Sequence, residues 1–285
     1  MKQKLLGYGV PQEVLDTLVI LESLPVMTVQ ESRPDAYRLM ILDTETTGVD
    51  TAKDEIIELA YVIVEFNAQG ELGNVVTSFD QLRQPDLPIL NSHIHGITDE
   101  DCLGQSIDWG EVAEDVRTCH LAVAHNSNFD RRMLERWCPE FMDVAWACSL
   151  KDVDFKKRGI SSHKLEYLAY VARFHYSAHR ALVDVQATLE VIIRLNLFPE
   201  LLKAAKTVTY VVYAQGAPFS AKDELKENGY RPLYVNGKFK SWYTVVELDK
   251  LEFTVDWLKH VIGCRKVPTC EITSKERYSI REEIS

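Results

Sequence analysis

The 285-residue sequence has few glycines and prolines and no long apolar run, which excludes several classes of protein. It contains 13 glycines and 10 prolines, too few for a collagen-like chain or a low-complexity linker. No stretch approaches the roughly 18 consecutive apolar residues of a membrane-spanning helix, so we expect no membrane association. The first residues include lysines but no apolar core and no small-residue cleavage site, which predicts that there is no signal peptide.

Paired cysteine motifs are also lacking. The six cysteines are scattered and none forms a Cys-x-x-Cys pair, which argues against a zinc ribbon or a thioredoxin-type redox site. Scattered cysteines in a chain of this size are typical of small buried side chains in a reducing compartment. We therefore expect a cytoplasmic protein, and the 46% hydrophobic content allows it to bury a core.

The net charge of −11 argues at first against a nucleic-acid partner. The acidic residues are concentrated in the middle of the chain, since residues 37–200 hold 15 basic and 27 acidic side chains, whereas residues 201–285 hold 14 and 11. An acidic block can be a solvated surface. It can also be a group of carboxylates around divalent cations, whose charge the formal count omits.

The hydrophobic pattern divides the chain into four parts. Residues 1–36 carry apolar side chains at helical spacing and are predicted to form a helical segment. Residues 37–200 read as three strands, then alternating helices and strands, then helices, which predicts an α/β domain with helices on both faces of a mixed sheet. Residues 201–263 predict a small α+β module with a hairpin at Asn236-Gly237. Residues 264–285 are predicted to be a flexible tail.

Two carboxylates lie together where the first strand of the α/β domain ends, in Asp43-Thr-Glu45-Thr-Thr-Gly48. Residues two apart on a strand project from the same face, so the side chains of Asp43 and Glu45 are expected to lie side by side. A hard divalent cation would relieve their mutual repulsion. The Asp-x-Glu pattern is also common on exposed strands, and the pair alone does not distinguish a metal site from a solvent-exposed strand face.

Two further segments carry candidate residues. Asp130 ends His125-Asn-Ser-Asn-Phe-Asp130, where a strand gives way to a helix and an acidic residue also suits the helix dipole. His179 and Asp184 are five residues apart, a separation that would turn them about 140° from each other within one helix. We therefore expect His179 in the preceding loop and Asp184 in the first helical turn. A loop histidine near a metal cluster can act as a general base, or it can be exposed without a role.

Together these segments resemble the DEDDh exonucleases, the branch of the DEDD superfamily typified by the DnaQ-like proofreading subunit of bacterial DNA polymerase. The residues that carry the resemblance keep the family's order, namely Asp43, Glu45, Asp130, His179 and Asp184. The segments IHGIT at 94–98 and SHKLEYLA at 162–169 also match. The resemblance covers roughly residues 37–197, and arginine at position 180 excludes the branch that has tyrosine there.

The resemblance implies a ribonuclease H-like fold, with a mixed five-stranded sheet flanked by helices, and removal of nucleotides one at a time from 3′ ends. It implies two Mg²⁺ or Mn²⁺ ions, which lie about 3.5–4 Å apart in such sites. By analogy Asp43 bridges both ions, Glu45 and Asp184 hold the ion that activates water, and Asp130 supports the other ion. His179 is implied to be the general base.

The same resemblance implies which residues meet the substrate. Thr46 and Thr47 would offer backbone groups to the terminal nucleotide, and Ile94, His95 and Phe129 would flank its base or sugar. Phe129 is equally well read as a core residue of its helix. The implied substrate is single-stranded or 3′-overhanging nucleic acid, with a polymerase or a DNA-repair complex as a candidate partner.

Rings and cations alternate in the predicted hairpin of the C-terminal module, at Tyr234, Lys238, Lys240 and Trp242. Such a surface suits a single nucleic-acid strand, because rings stack on bases and cations meet phosphates. The alternative is that the rings form the core of a small domain and the lysines face solvent.

A DNA-directed 3′–5′ exonuclease, with a role such as proofreading or repair, is the function that the sequence favours. One alternative is an exoribonuclease of the same family, as in the relatives of RNase T and oligoribonuclease. Another is a non-catalytic nucleic-acid-binding or scaffold protein with the same fold. The presence of all five motif residues argues against the non-catalytic protein.

Overall fold

The computed structural model describes residues 8, 11, 19–235 and 237–280. The strands in this part of the chain are β1 (Glu22–Ser23), β2 (Tyr37–Thr46), β3 (Ile56–Phe66), β4 (Leu72–Leu82), β5 (Leu121–Ala124), β6 (Ala145–Cys148), β7 (Phe174–His175), β8 (Thr209–Ala214), β9 (Arg231–Val235), β10 (Lys238–Glu247) and β11 (Thr269–Ile272). Five of them form one mixed sheet in the order β4-β3-β2-β5-β6. Strand β3 is antiparallel to both of its neighbours, β4 and β2, whereas β5 and β6 run parallel to β2.

The α-helices of the described residues are α1 (Ser92–His95), α2 (Asp99–Cys102), α3 (Trp109–Thr118), α4 (Ser127–Leu134), α5 (Leu165–Val171), α6 (Ala181–Arg194), α7 (Phe198–Lys206), α8 (Lys222–Glu227) and α9 (Leu248–Trp257). Local signals set several of their ends. Asp108 caps α3 by accepting hydrogen bonds from the backbone N–H groups of Gly110 and Glu111. Pro199 lies in the first turn of α7, where its missing N–H has no cost.

The two faces of the large sheet bury separate cores, because alternate residues of a strand point to opposite sides. Leu39 and Ile41 of β2 pack in the core that includes α5, α6 and α7. Met40 and Leu42 pack in the core that includes α3 and α4. The predicted mixed five-stranded sheet with helices on both faces is confirmed.

The C-terminal module has its own sheet, in the order β11-β8-β10-β9. Its core is formed by residues of β8, β10, α8 and the single π-helical turn that follows α9, among them Val212, Leu225, Trp242 and Leu258. In the predicted hairpin Lys238 pairs with Val235, as a two-residue turn requires, and Asn236 lies outside the described residues.

The prediction of an N-terminal helical segment is wrong for residues 19–36, where the structure has no helix. Glu22–Ser23 instead pairs in parallel with Phe174–His175. Farther along, Arg33 donates from its backbone N–H and from Nε to the fully buried carboxylate of Glu65. Prolines at positions 25 and 34 disfavour a helix here. The earlier part of the predicted helix lies mostly outside the described residues.

The prediction of a flexible C-terminal tail is wrong as far as residue 280. Thr269–Ile272 is an edge strand that pairs with β8. Residues 273–280, which we call the C-terminal strap, then pack against α4 of the large domain. The fully buried guanidinium of Arg131 donates hydrogen bonds to the backbone carbonyls of Ser274, Lys275 and Arg277. These buried polar contacts give no sequence signal before the fold brings the two segments together.

Within the described residues no helix is both long enough and apolar enough to cross the bilayer. All six cysteines are free thiols, four of them buried, which agrees with their interpretation as small apolar side chains.

The buried ion pair beneath the strap is expected to matter more for stability than a comparable pair on the surface. Arg131 Nε lies 2.6 Å from Glu135 Oε1, and both side chains are fully buried. Replacing Arg131 by alanine leaves a buried carboxylate without its cation, so we expect Arg131→Ala to lower the free energy of unfolding by about 3–5 kcal/mol in urea denaturation. The matched control is Arg117→Ala, which breaks an exposed pair with Glu140 and should cost at most about 1 kcal/mol. Equal losses in the two variants would contradict this account.

Candidate active site

The predicted site residues meet at one edge of the large sheet. Strands β2 and β5 are parallel neighbours, so their carboxyl ends lie together. Asp43 and Glu45 are at that end of β2, and the chain leaves β5 through His125 into α4, which carries Asp130. Helix α6, with Asp184 in its first turn, packs against β2 and β3.

Three carboxylates form a compact cluster. Asp43, Glu45 and Asp184 each offer an oxygen, and these oxygens lie within 4.8 Å of one another. Asp43 and Glu45 have the same strand parity as Leu39 and Ile41, whose face of the sheet packs against α6. The spacing of two along the strand therefore directs both side chains towards the helix that carries Asp184.

Asp130 is held beside this cluster by Thr44, the residue between the two strand carboxylates. The backbone N–H and the Oγ1 hydroxyl of Thr44 both donate to Asp130 Oδ1, at 3.1 and 2.8 Å. Asp130 is buried, and its charge is close enough to raise the pKa of Asp43. The sequence did not indicate a role for Thr44. Its side chain points to the face of β2 opposite to Asp43 and Glu45, and it meets Asp130 there.

The third motif folds as its spacing predicts, with His179 before α6 and Asp184 inside its first turn. The backbone of His179 is in the left-handed region, with φ of 71°, which is unfavourable for a residue with a side chain. This conformation directs its N–H to Asp184 Oδ2 at 2.7 Å. Tyr176, which the sequence did not indicate, donates its hydroxyl to the other oxygen of Asp184 at 3.1 Å.

The imidazole of His179 is about half exposed and lines the same cleft as the carboxylates. Its Nε2 atom lies 4.0 Å from Glu166 Oε1, beyond hydrogen-bonding distance. Among the described residues the ring nitrogens of His179 have no hydrogen-bond partner, and the imidazole faces the cleft that the carboxylates line.

An ion pair between the half-exposed Arg180 and the fully buried Glu58 fixes the start of α6. The Arg180 guanidinium donates from Nε and Nη2 to Glu58 Oε1, at 3.0 and 2.7 Å, and the N–H of Ala181 donates to Glu58 Oε2 at 2.9 Å. Glu58 has no exposed surface and lies in β3. Strand 56–66 is apolar except for Glu58 and Glu65, and a carboxylate inside such a strand was the signal in the sequence that a cationic partner exists.

Burial and mutual repulsion make the carboxylates of the site reluctant to ionise. Burial, followed by the charges of Asp130 and Asp184, raises the pKa of Asp43 well above its ordinary value. Burial and then the charge of Asp184 raise the pKa of Glu45 to about 8. Burial raises the pKa of Asp130 to about 7 despite the hydrogen bonds from Thr44. Burial also raises the pKa of Asp184, and the N–H of His179 opposes it.

This donor set fits a hard divalent cation. Asp43, Glu45 and Asp184 supply oxygen ligands only, of the kind that Mg²⁺ and Mn²⁺ take. A cation would also cancel the repulsion that raises the pKa values of the cluster. Asp130, with one oxygen held by Thr44, has its second oxygen left for a more indirect contact.

The residues expected to meet the terminal nucleotide are placed unevenly. Ile94 is half exposed, whereas His95 is buried and its Nδ1 accepts the N–H of Ile97. Phe129 is half-buried against the core beneath α3 and α4, although it also lines the cleft. The N–H of Thr47 donates to Glu55, and the carbonyl of Thr46 accepts from Asn91. One backbone group of each residue is therefore engaged within the protein, and contact of substrate with Thr46 and Thr47 stays a prediction. The substrate contacts of the side chains stay a prediction.

The hairpin residues separate into two groups. Lys238, Lys240 and Tyr234 are exposed, and the ring of Tyr234 lies 6.0 Å from that of Phe239. Trp242 is buried in the core of the C-terminal module, so its predicted role in stacking on a nucleic-acid strand is wrong. Its ring lies on the same side of the hairpin as that of Phe239, 6.0 Å away, but within the core, where a small module needs a large apolar side chain. Strand binding by the three exposed residues stays a prediction.

Comparison with known proteins agrees with this site. The model of the RNase T family, described as Exonuclease, matches residues 40–192, which is more than half of the chain. The chain belongs to the DEDDh 3′–5′ exonuclease family. The matched range contains all five motif residues and all five strands of the large sheet except the first residues of β2.

Among curated proteins the chain is similar to DNA polymerase III PolC-type from several bacteria. It is 33% identical over 175 residues to the protein from Thermotoga maritima and 31% identical over 175 residues to that from Thermotoga petrophila. It is 29% identical over 177 residues to the protein from Bacillus subtilis. These matches cover 56–58% of this chain but only 12% of each relative, so the chain corresponds to a small part of those polymerases.

Among solved structures the chain is similar to E. coli Exonuclease I in complex with a dA16 oligonucleotide. The identity is 14% and the TM-score 0.47, over 85% of this chain and 66% of that one. At this TM-score the similarity does not bear on the assignment.

The raised carboxyl pKa values predict how metal and pH act together on stability. Because the folded-state pKa values of Glu45 and Asp130 exceed the unfolded value near 4, the stability that their protonation gives is present in acid and lost as the pH rises to about 8. Bound Mn²⁺ should replace what is lost. We therefore expect Mn²⁺ to raise Tm more at about pH 8 than at about pH 5. The difference in Tm should be about 2–4 °C for each kcal/mol by which bound Mn²⁺ increases the free energy of unfolding.

The measurement is differential scanning fluorimetry with Mn²⁺ or EDTA at both pH values. Glu45→Gln should reduce the difference between the two pH values, because it removes one titrating ligand. An equal Mn²⁺-induced rise in Tm at both pH values would count against a clustered carboxylate metal site.

Proposed function

We propose that this protein hydrolyses nucleic acid from the 3′ end, releasing 5′-mononucleotides, with DNA preferred over RNA and with two Mg²⁺ or Mn²⁺ ions bound. The observation that supports this most strongly is the cluster of Asp43, Glu45 and Asp184, whose oxygens lie within 4.8 Å of one another and whose pKa values are raised. Such a cluster is costly unless cations share it.

Asp43, Glu45 and Asp184 would hold the metal, with Asp130 in a supporting position. Bound divalent metal supplies Lewis-acid stabilisation of the charge on the phosphoryl group. The residues around the ligands orient them. Thr44 fixes Asp130, while Tyr176 and the backbone of His179 fix the two oxygens of Asp184.

His179 is proposed to accept the proton of the attacking water on its imidazole. Its side chain is exposed in the cleft, and its backbone is tied to Asp184, so the ring stays next to the cluster while remaining free to turn. The Arg180 guanidinium donates to Glu58 and so holds the chain next to His179 against β3. General-base catalysis of this kind typically contributes about 10²–10⁴-fold to a rate.

The preference for DNA rests on the similarity to proteins named as DNA polymerases, at 31–33% identity over 175 residues. The chain spans 12% of those relatives, so a role within or beside a polymerase, or in a repair complex, is likewise proposed and not implied by the match. We propose that a single strand or a 3′ overhang enters the cleft that Asp184 of α6 and Lys164 before α5 both line.

The central prediction is a metal-dependent ladder that shortens from the 3′ end. We would incubate 5′-labelled single-stranded DNA and RNA with the protein and Mn²⁺, Mg²⁺ or EDTA, and resolve the products on a gel. Asp43→Asn keeps the shape of the side chain but removes a shared metal ligand, so the rate should fall more than about 100-fold. Asp256→Asn, an exposed change on α9, is the matched control and should retain the wild-type rate.

The outcomes separate the candidate functions. Faster cleavage of DNA supports the proposal, and faster cleavage of RNA would assign the exoribonuclease alternative. Retained strand binding without cleavage in any metal would contradict the proposal and indicate a non-catalytic binding protein.

A further inference from the structure

A second groove continues from the carboxylate cleft. It is lined by His125, Asn126, Leu150, Ser161, Ser162, His163 and Lys164, and we call it the 161–164 groove. Three of these residues, His125, Asn126 and Lys164, also line the carboxylate cleft. The two depressions are therefore one continuous surface that runs from the metal ligands to the loop before α5.

We propose that the 161–164 groove binds the sugar–phosphate backbone of the nucleotides on the 5′ side of the one being removed. This inference rests on the proposed function and adds to it a path for the substrate strand. It assigns Lys164 as the cation that meets an upstream phosphate.

The chemistry of the groove suits a phosphodiester chain. Lys164 is exposed, and the hydroxyls of Ser161 and Ser162 and the amide of Asn126 are polar groups along the same path. Within the described ranges no carboxylate lines this groove, and none forms an ion pair with Lys164. Lysine and hydroxyl groups are the usual partners of phosphate oxygens in protein–nucleic acid contacts.

The groove is also held in shape. His125 Nε2 lies 2.8 Å from the carbonyl oxygen of His163, and Nδ1 lies 2.9 Å from Ser149 Oγ. Since a carbonyl only accepts, Nε2 must carry a proton and donate it. The ring of His163 in turn stacks on Phe155, with centroids 5.3 Å apart. The loop that presents Lys164 is thus fixed to the strand end that leads to Asp130, so the distance from the metal ligands to the lysine is set by the fold.

The opposite flank of the site is unsuited to the strand. Glu58, Asp80 and Asp101 surround Arg180 there, and burial with the charge of Glu58 raises the pKa of Asp80. The Arg180 guanidinium already donates twice to Glu58. A phosphate chain leaving on that side would meet three carboxylates and a guanidinium already bonded to one of them, whereas the 161–164 groove offers a lysine that has no ion pair among the described residues.

The test compares a substrate that has upstream phosphates with one that has none. Wild type and Lys164→Ala would be assayed on a short 5′-labelled oligothymidylate and on the p-nitrophenyl ester of thymidine 5′-monophosphate. We expect the ratio of kcat/KM for the oligonucleotide to that for the ester to fall about tenfold in Lys164→Ala, as for loss of one charged hydrogen bond. Lys157→Ala is the matched control, because Lys157 pairs with Asp154 and lines a different cavity, and it should keep the ratio within about twofold.

Binding gives a second readout. In an Asp43→Asn background, which slows hydrolysis, fluorescence anisotropy would measure oligothymidylate affinity at several salt concentrations with and without Lys164→Ala. Losing one phosphate contact should make the slope of log K against log salt shallower by about 0.7. Thermal unfolding of each variant would show that the exposed lysine is not needed for folding.

Three results would overturn the groove assignment. One is an equal fall in kcat/KM on both substrates, which would place Lys164 at the reacting phosphate. Another is an unchanged ratio with an unchanged salt slope. The third is an equal effect of Lys157→Ala, which would indicate general charge and not a path. If wild type hydrolyses neither substrate in Mn²⁺, the proposed function fails instead, and this outcome is distinct from the others.

Discussion

Electrostatic repulsion among partly buried carboxylates is the constraint on which the active edge of this protein depends. Asp43, Glu45 and Asp184 are brought within 4.8 Å by a strand and a helix that have other reasons to pack together. The hydrophobic core beneath them stabilises an arrangement that their charges oppose, and the opposition is visible in the raised pKa values. Carboxylates held together in this way favour the binding of divalent cations, and the proposed reaction requires such cations.

Different neighbouring residues hold the individual carboxylates of the site in position. Thr44 takes Asp130 on one face of β2, while Asp43 and Glu45 point to the other face. On the helix side, Asp184 is held by Tyr176 and by the strained backbone of His179, and the start of α6 is fixed by the pair of Arg180 with Glu58. Each of these contacts orients a ligand or the helix that carries one, which is why loss of any one is expected to misplace a ligand.

Much of this was readable in the sequence, for physical reasons. The spacing of Asp43 and Glu45 puts both side chains on the same face of a strand. His179 and Asp184 are five residues apart, and side chains at that separation within one helix could not point into the same site. The remainder depends on tertiary pairing. The Arg131 contacts to the strap join residues more than 140 apart in the chain, and the tail was therefore misread from its polar composition. The role predicted for Trp242 is wrong because the sequence does not show that the strand passes from solvent into the core of the module between Lys240 and Trp242.

The most direct test of the central claim is a count of bound Mn²⁺ by electron paramagnetic resonance, titrating the metal-free protein near pH 8. The account predicts about two Mn²⁺ ions per chain. It also predicts an affinity that falls at least about tenfold when Glu45 and Asp184 are together replaced by glutamine and asparagine. The same weak, unsaturable Mn²⁺ binding in wild type and in this double variant would contradict the claim that the carboxylates form a cation site.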